Sequence, residues 1–421
     1  MKKRTIIKII IAILPIILNF ILIPVQFNFS PIIGPTDVDE IRYGKFKGDY
    51  LISDGVGVVK IMDPYTRQIL WKNNCPHFFF HDADLLPNGD VLIADTGGDK
   101  IIEINITTNK VVWEWDAKNN SQVNWTDFGL KNGWDHNALS IVQNKNPPNG
   151  YYTHLNAVEF INGSQSGKKY DTVLVSIRNF DLLIEINHSA KIGEPGYLNI
   201  TWHYGIPGNH SLLFHQHSPK RLSNGHTLVC DSENNRVIEI DKNGKLIWEY
   251  RDKKLRWVRD CDLLPNGNLL ITDSNNNRII EINKTTKEIV KCFTFGLFTP
   301  FDADLTSDGK IIVGNTFGDD IIVYDYSSGL VVDIIGFNYL FAPIFFTILA
   351  VIIYQIGNLI YVFKNLNEKS IIKRFRKREV YSKLVIIITL TIFIYFFYYF
   401  MAYIWNYGIW HFTESFPRPS I

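Results

Sequence analysis

Three histidines stand at the same place in three copies of a repeated sequence pattern. Two of the copies run His81–Asp95 and His217–Asp231, and a third begins at His154. An imidazole can act as a nucleophile or carry a proton near neutral pH, because its unperturbed pKa is about 6.5. Three imidazoles at one register favour a shared functional site over three unrelated surface residues.

The repeat that carries these histidines has a period of about 40 residues, which is typical of propeller blades. Within a copy, an Asn-Gly dipeptide joins two short apolar runs, which is a strong signal for a tight β-hairpin. A third apolar run follows a polar turn, and a fourth often ends in tryptophan. Four antiparallel strands repeated in this way predict an all-β fold, a six-bladed β-propeller, although the first copy shows no evident inner strand.

The innermost strand of each blade lines the central channel, so the residues that begin these strands share one channel mouth. The alignment puts the three histidines there, with Arg259 and Phe301 at the same place in two further copies. Arg178 ends the second strand of the blade that begins at His154. Because antiparallel pairing brings the end of the second strand beside the start of the first, we expect Arg178 at the same mouth.

Two classes of ligand suit such a cluster. Histidines together with Asp82 and Asp84 could hold a divalent metal ion, which gives one alternative. Arg178 favours an anion instead, because a guanidinium repels a cation and grips an oxyanion with a planar fork of donors. We therefore predict a site that holds neither a metal ion nor a cofactor.

Short motifs in this part of the chain resemble the bacterial arylsulfate sulfotransferases. They are His154–Val158, Val173–Asn179, Phe214–His217 and Arg221–Gly225, and the resemblance covers about residues 76 to 337. It implies an exported six-bladed propeller that moves a sulfuryl group from an aryl sulfate ester to a phenol, without the nucleotide donor PAPS.

The resemblance also implies a role for each candidate residue. His217 would be the nucleophile that becomes transiently sulfated, while His81, His154 and Arg178 would bind the sulfuryl oxygens and polarise the ester. A small-molecule aryl sulfate donor and a phenolic acceptor are the expected partners. Further side chains near the mouth could bind these substrates, and the phenylalanines among them could equally be packing residues: Asn156, Asn179, Phe180 and Phe214.

Near-continuous apolar stretches occupy only the two ends of the chain, and each is long enough to cross a hydrocarbon core of roughly 30 Å as a helix. The segment between the last two stretches is dense in Lys and Arg, which favours the cytoplasmic side and puts the propeller outside. The predicted organisation is an N-terminal membrane anchor or signal peptide (1–28), the propeller (29–337), a transmembrane helix (338–363), a basic cytoplasmic loop (364–383), a second transmembrane helix (384–410) and a short tail (411–421).

The charge balance argues against a nucleic-acid-binding protein. Lys and Arg number 43 against 42 Asp and Glu, which gives a formal net charge of +1 and no excess for a basic face. Two alternatives to the sulfotransferase remain open. One is a non-catalytic propeller that binds a ligand or protein at the cell surface, and the other is a metal-dependent enzyme that uses the same histidines.

Overall fold

The computed structural model describes residues 32–74, 80–119, 122–130, 152–166 and 168–336. These residues all lie within one compact unit, Phe27–Ala342. The predicted anchor, both C-terminal spans and the basic loop fall outside the described residues. Within the described ranges, no helix has the length and apolar character needed to cross a membrane.

The described residues form six four-stranded antiparallel sheets, each made of four strands that are consecutive in the chain. The predicted six-bladed β-propeller is therefore confirmed. In chain order, four to a blade, the strands are β1 (Pro35–Glu40), β2 (Tyr50–Asp54), β3 (Val58–Met62), β4 (Ile69–Asn74), β5 (Phe80–Leu85), β6 (Val91–Asp95), β7 (Lys100–Asn105), β8 (Lys110–Asp116), β9 (Leu155–Ile161), β10 (Thr172–Ile177), β11 (Leu182–Asn187), β12 (Ile200–Gly205), β13 (His217–Arg221), β14 (Thr227–Asp231), β15 (Arg236–Ile240), β16 (Leu246–Arg251), β17 (Val258–Leu263), β18 (Leu269–Asp273), β19 (Arg278–Ile282), β20 (Ile289–Phe293), β21 (Asp302–Leu305), β22 (Lys310–Asn315), β23 (Asp320–Asp325) and β24 (Val331–Gly336).

Short helical turns link some of these strands. The α-helical turn α1 spans Gly163–Ser166, between β9 and β10, where the sequence has an insertion. The 3₁₀ turns span Gly44–Phe46, Trp125–Phe128, Arg178–Phe180, Ser274–Asn276 and Thr316–Gly318.

The second and third strands of each blade form the core, and the Asn-Gly turns join the first strand to the second. Strands β6, β14 and β18 are buried along their whole length, as runs of Val, Ile and Leu predict for strands covered on both faces. Gly89 and Gly267 sit in the hairpins before two of these strands with φ of 87° and 82°, a left-handed conformation that favours glycine.

A polar residue in the left-handed conformation directly precedes the third strand of five of the six blades, and its side chain accepts a hydrogen bond from the next blade. Asn235 has φ of 50°, and its Oδ1 accepts a hydrogen bond from the backbone N–H of Trp257 (2.7 Å). Asn and Asp tolerate this conformation better than other non-glycine residues. The same contact to the following blade is made by Asp99, Asp181, Asn277 and Asp319.

The ring closes through side-chain contacts between the first and sixth blades. The strand that the sequence did not reveal is β1, and its Val38 N–H donates to Asp302 Oδ2 (3.0 Å). Thr316 Oγ1 donates to the Pro35 carbonyl (2.7 Å). No strand is exchanged between these blades, because each of the six sheets is built from consecutive strands.

Acidic side chains line the inner strands of the propeller. The Val158 N–H donates to Asp82 Oδ2 (2.7 Å), so these carboxylates accept inner-strand N–H groups across blade boundaries. The Lys220 Nζ lies 3.9 Å from Asp262 Oδ1. The acidic residues of the inner strands are Asp37, Asp39, Glu40, Asp82, Asp84, Glu159, Asp260, Asp262, Asp302 and Asp304.

Burial raises the pKa of several of these carboxyl groups, because removal from water disfavours the charged form. The pKa of Asp262 is raised to about 7, and the pKa values of Glu159 and Asp304 are raised to about 8. The Lys220 ammonium opposes each of these shifts but does not cancel them.

We expect the free energy of unfolding to fall as the pH rises from about 7.5 to about 8.5, a range in which an unperturbed histidine, with a pKa of about 6.5, is already mostly neutral. Over this range the folded state still holds protons on these carboxyl groups, whereas unfolded carboxyls with a pKa of about 4 have released theirs. Urea titrations followed by tryptophan fluorescence would measure the slope. Asp304→Asn cannot titrate and should flatten it, and a stability that rises with pH would contradict the assignment.

Candidate functional site

Irregularities in the inner strands set the direction of several candidate side chains. The pairing of β5 with β6 breaks between Phe80 and Ala83, so His81 lies in a bulge. The pairing of β17 with β18 breaks in the same way at Arg259. In β9, Asn156 is the residue skipped where the register shifts. Bulges re-aim side chains, so His81, Asn156 and Arg259 depart from a regular strand at equivalent places in their blades. The sequence alignment that put His154 at this position was wrong, because His154 precedes β9 and Asn156 is the equivalent of His81.

His81 and His154 are in direct contact. Their Nε2 atoms are 3.0 Å apart, and the ring centroids are 4.9 Å apart. Both residues are buried, and each is only 5% exposed. Arg259 Nη2 lies 3.4 Å from His81 Nδ1, and since a guanidinium can only donate, this nitrogen of His81 accepts.

His217 begins β13 and is buried, with 2% of its surface exposed. Its Nδ1 lies 2.7 Å from Ser232 Oγ. Its Nε2 is buried and has no hydrogen-bond partner among the residues that the structure describes. A buried polar atom without a partner is costly, so a nitrogen left in this state is a candidate contact for a bound molecule.

Arg178 lies beside His154, as the antiparallel register predicts. It follows β10 as the first residue of a 3₁₀ turn, and its N–H donates to the His154 carbonyl (3.3 Å). The guanidinium is buried, and Nη1 donates to Asn179 Oδ1 (3.1 Å). Asn179 in turn donates from Nδ2 to the Tyr152 carbonyl (3.1 Å), so the Arg178 side chain is held through Asn179 to the backbone.

The electrostatics show that these side chains share one environment. Burial lowers the pKa of His217 well below its usual value, and the charges of Arg259 and Arg178 lower it further, followed by His81 and His154. Burial also lowers the pKa of His154, with Arg178 the next cause. Neutral imidazoles therefore stand beside two permanent positive charges, which suits an anionic ligand.

Arg259 is a site residue to which the sequence analysis gave no role. It is 4% exposed, and its guanidinium carbon lies 3.7 Å from the centroid of the Phe301 ring and 4.4 Å from that of Trp257. The repeat register already aligned Arg259 with the histidines. Arg259 could therefore have been identified from the sequence, because its copy has an arginine where other copies have a histidine or a phenylalanine.

His215 is a second residue that the sequence analysis did not assign to the site. It is 3% exposed, and its backbone N–H donates to Asp181 Oδ1 (2.9 Å). Burial lowers the pKa of His215 to about 2, with Arg178 and His210 adding to the shift. The sequence analysis considered the residues that begin each inner strand. His215 lies before β13, so that criterion did not select it.

The remaining candidate residues occupy different surroundings. Asn156 donates from Nδ2 to the Gln216 carbonyl (2.8 Å), while its buried Oδ1 has no partner in the described part of the chain. Phe180 is 4% exposed and packs against Trp125, with centroids 5.1 Å apart, inside a hydrophobic cluster. Phe214 is half-buried and stacks on His210 with ring centroids 3.9 Å apart.

A metal site would need ligands that converge. Across the described ranges, no group of three or more His, Cys, Asp or Glu side chains is arranged to hold a metal ion. Asp82 and Asp84, the carboxylates considered above for this purpose, accept the Val158 and Phe160 N–H groups (both 2.7 Å).

No protein-family model matches the chain, and no curated protein matches it. Virginiamycin B lyase from Staphylococcus aureus is one similar solved structure, with 13% identity, a TM-score of 0.46, and coverage of 72% of this chain and 83% of that one. A protein of unknown function from Bacteroides caccae is 14% identical with a TM-score of 0.46 and coverage of 69% and 93%. The β-propeller domain of Cps50 (Swd1) from Myceliophteria thermophila is 12% identical, with a TM-score of 0.46 and coverage of 73% and 88%. At this level the likenesses say nothing about chemistry.

Proposed function

We propose that the protein is an aryl sulfotransferase that moves a sulfuryl group from an aryl sulfate ester to a phenol through a sulfated His217. The observation that carries the proposal is the buried, neutral imidazole of His217, whose Nε2 has no hydrogen-bond partner in the described structure. This imidazole lies close enough to Arg178 and Arg259 for their charges to lower its pKa. The motif resemblance to arylsulfate sulfotransferases, which includes Phe214–His217, supports the same chemistry.

In the first step, the lone pair of His217 Nε2 attacks the sulfur of the aryl sulfate. The nitrogen–sulfur bond forms as the bond from sulfur to the aryl oxygen breaks, and the electron pair of that bond leaves on the phenolate. A phenolate is an acceptable leaving group because the pKa of a phenol is about 10, far below that of an aliphatic alcohol. A neutral imidazole is the reactive form, and the lowered pKa of His217 keeps it neutral across the physiological range.

In the second step, the oxygen of an acceptor phenol attacks the same sulfur. The nitrogen–sulfur bond breaks, its electron pair returns to Nε2, and the phenol proton is released to solvent. A covalent intermediate divides one difficult transfer into two easier ones.

The positive charges of Arg178 and Arg259 act on the sulfuryl oxygens, which carry the negative charge of the group that is being transferred. Arg178 and Arg259 would donate to these oxygens. His81 and His154 would add N–H donors when the ligand replaces the contact between their Nε2 atoms. Donors that are fixed before the reaction stabilise such a transition state without reorganising. The same two guanidiniums oppose a divalent cation, which disfavours the metal-dependent alternative.

The proposal puts this reaction outside the cytoplasm, at a membrane. The basic segment 364–383, between two apolar stretches, is the sequence feature behind this assignment.

The proposal predicts that 4-nitrophenyl sulfate releases nitrophenolate faster when phenol is added, with ping-pong kinetics. Initial rates at varied donor and acceptor concentrations, read by absorbance, would give parallel reciprocal plots. A chelator should leave the rate unchanged, and a chelator-sensitive rate would favour the metal-dependent enzyme. No release with a panel of aryl sulfates, with or without phenol, would favour the non-catalytic binding propeller.

A further inference from the structure

The hydroxyl group of Ser232 lies between the His217 imidazole and the backbone of the next blade. Ser232 follows β14 directly and is fully buried. Its Oγ lies 2.6 Å from the Val258 carbonyl oxygen and 2.7 Å from His217 Nδ1. A third atom, the Cys230 carbonyl oxygen, is more distant at 3.4 Å.

Counting protons settles the direction of these hydrogen bonds. A hydroxyl has one proton, and a carbonyl oxygen can only accept, so the short contact requires Ser232 to donate to Val258. The Ser232 oxygen is then left to accept from His217, and Nδ1 must carry the hydrogen. A neutral imidazole has a single N–H, so Nε2 holds the lone pair.

We propose that Ser232 is a positioning residue that holds the proton of His217 on Nδ1 and thereby presents the Nε2 lone pair to the ligand. Without the Ser232 oxygen, the two neutral tautomers of the ring would compete, and one of them places a proton on the nitrogen that must react. The consequence for catalysis rests on the proposed function, whereas the assignment of the tautomer does not.

The bond from Ser232 to the next blade also occurs at the same register elsewhere in the propeller. Thr96 Oγ1 donates to the Leu155 carbonyl, and Thr316 Oγ1 donates to the Pro35 carbonyl (2.7 Å). Threonine therefore fits this position and keeps the inter-blade bond. The distinguishing feature of Ser232 is its contact with His217, and this difference supplies matched control variants.

Kinetics would separate positioning from stability. We expect Ser232→Ala to lower kcat on 4-nitrophenyl sulfate on the order of 10- to 100-fold with little change in KM, the loss seen when a partner that fixes the tautomer of a metal-ligating histidine is removed. Ser232→Thr should restore most of the rate. Thr316→Ala loses an equivalent inter-blade bond and should match the wild type in kcat. Equal losses in Ser232→Ala and Thr316→Ala, or no recovery with threonine, would overturn the proposal.

A spectroscopic measurement tests the tautomer without any turnover. In full-length protein labelled with nitrogen-15 at histidine, His217 should show a protonated Nδ1 and an unprotonated Nε2, and Ser232→Ala should populate the opposite tautomer. A wild-type protein with its proton on Nε2 would overturn the proposal. If the wild type transfers no sulfuryl group, the proposed function fails while this spectrum still decides the role of Ser232.

Discussion

Replacing His217 with asparagine should abolish sulfuryl transfer, with a loss of roughly 10³-fold or more in kcat, as expected when a covalent nucleophile is removed. Asparagine keeps a polar side chain of similar reach, but its amide nitrogen has no available lone pair. Initial rates of nitrophenolate release with saturating phenol would measure the effect. The fold should survive, which a thermal unfolding curve would check.

His226→Asn is the matched control for this substitution. His226 belongs to the same blade as His217, but its Nδ1 pairs with Glu239 Oε1 (2.6 Å) and its side chain is 27% exposed. Its replacement should leave the transfer rate near that of the wild type. A His217→Asn protein that keeps the wild-type rate would rule out the nucleophile assigned to this site.

Replacing Arg259 with methionine should lower kcat/KM on the order of 10²- to 10³-fold, the usual cost of removing one donor aimed at developing charge. Methionine keeps an unbranched apolar side chain to pack between Phe301 and Trp257, so the loss should report the guanidinium rather than a cavity. Steady-state kinetics with a series of aryl sulfates would measure it.

Two further arginine substitutions make this test specific. Arg259→Lys keeps the charge without the planar fork and should fall between the wild type and Arg259→Met. Arg251→Met removes a guanidinium whose side chain is 54% exposed at the propeller surface and should have no effect on kcat/KM. An unchanged kcat/KM in Arg259→Met would show that the Arg259 guanidinium does not act on the substrate.

The sequence predicts this fold well because each blade repeats the same local signals. Turn glycines such as Gly89 and Gly267 mark the hairpins, and the buried Val and Ile runs between them mark the core strands. Strand β1 was missed because its own hydrophobic signal is weak. Its Asp37-Val-Asp39 motif repeats the Asp-x-Asp pattern of β5, β17 and β21, which would have located it.

The candidate site is predictable only to the extent that register determines it. The positions of His81 and Arg178 follow from strand order and antiparallel pairing, whereas His154 precedes β9 and reaches His81 from a position that the repeat alignment did not give. The approach of Ser232 to His217 depends on contacts between strands at an irregular point of the sheet, where the register of β13 with β14 shifts. A phenylalanine such as Phe180 gives no sequence signal that separates packing from ring binding, because both need the same apolar surface.

The modification state of His217 tests the central claim most directly. The protein would be mixed with an aryl sulfate in the absence of phenol, kept mildly alkaline to protect a nitrogen–sulfur bond, digested and mapped by mass spectrometry. We predict one added sulfuryl group on the peptide that contains His217, which disappears when phenol is supplied. Turnover with no sulfuryl group on His217, or with the group on another residue, would contradict the account.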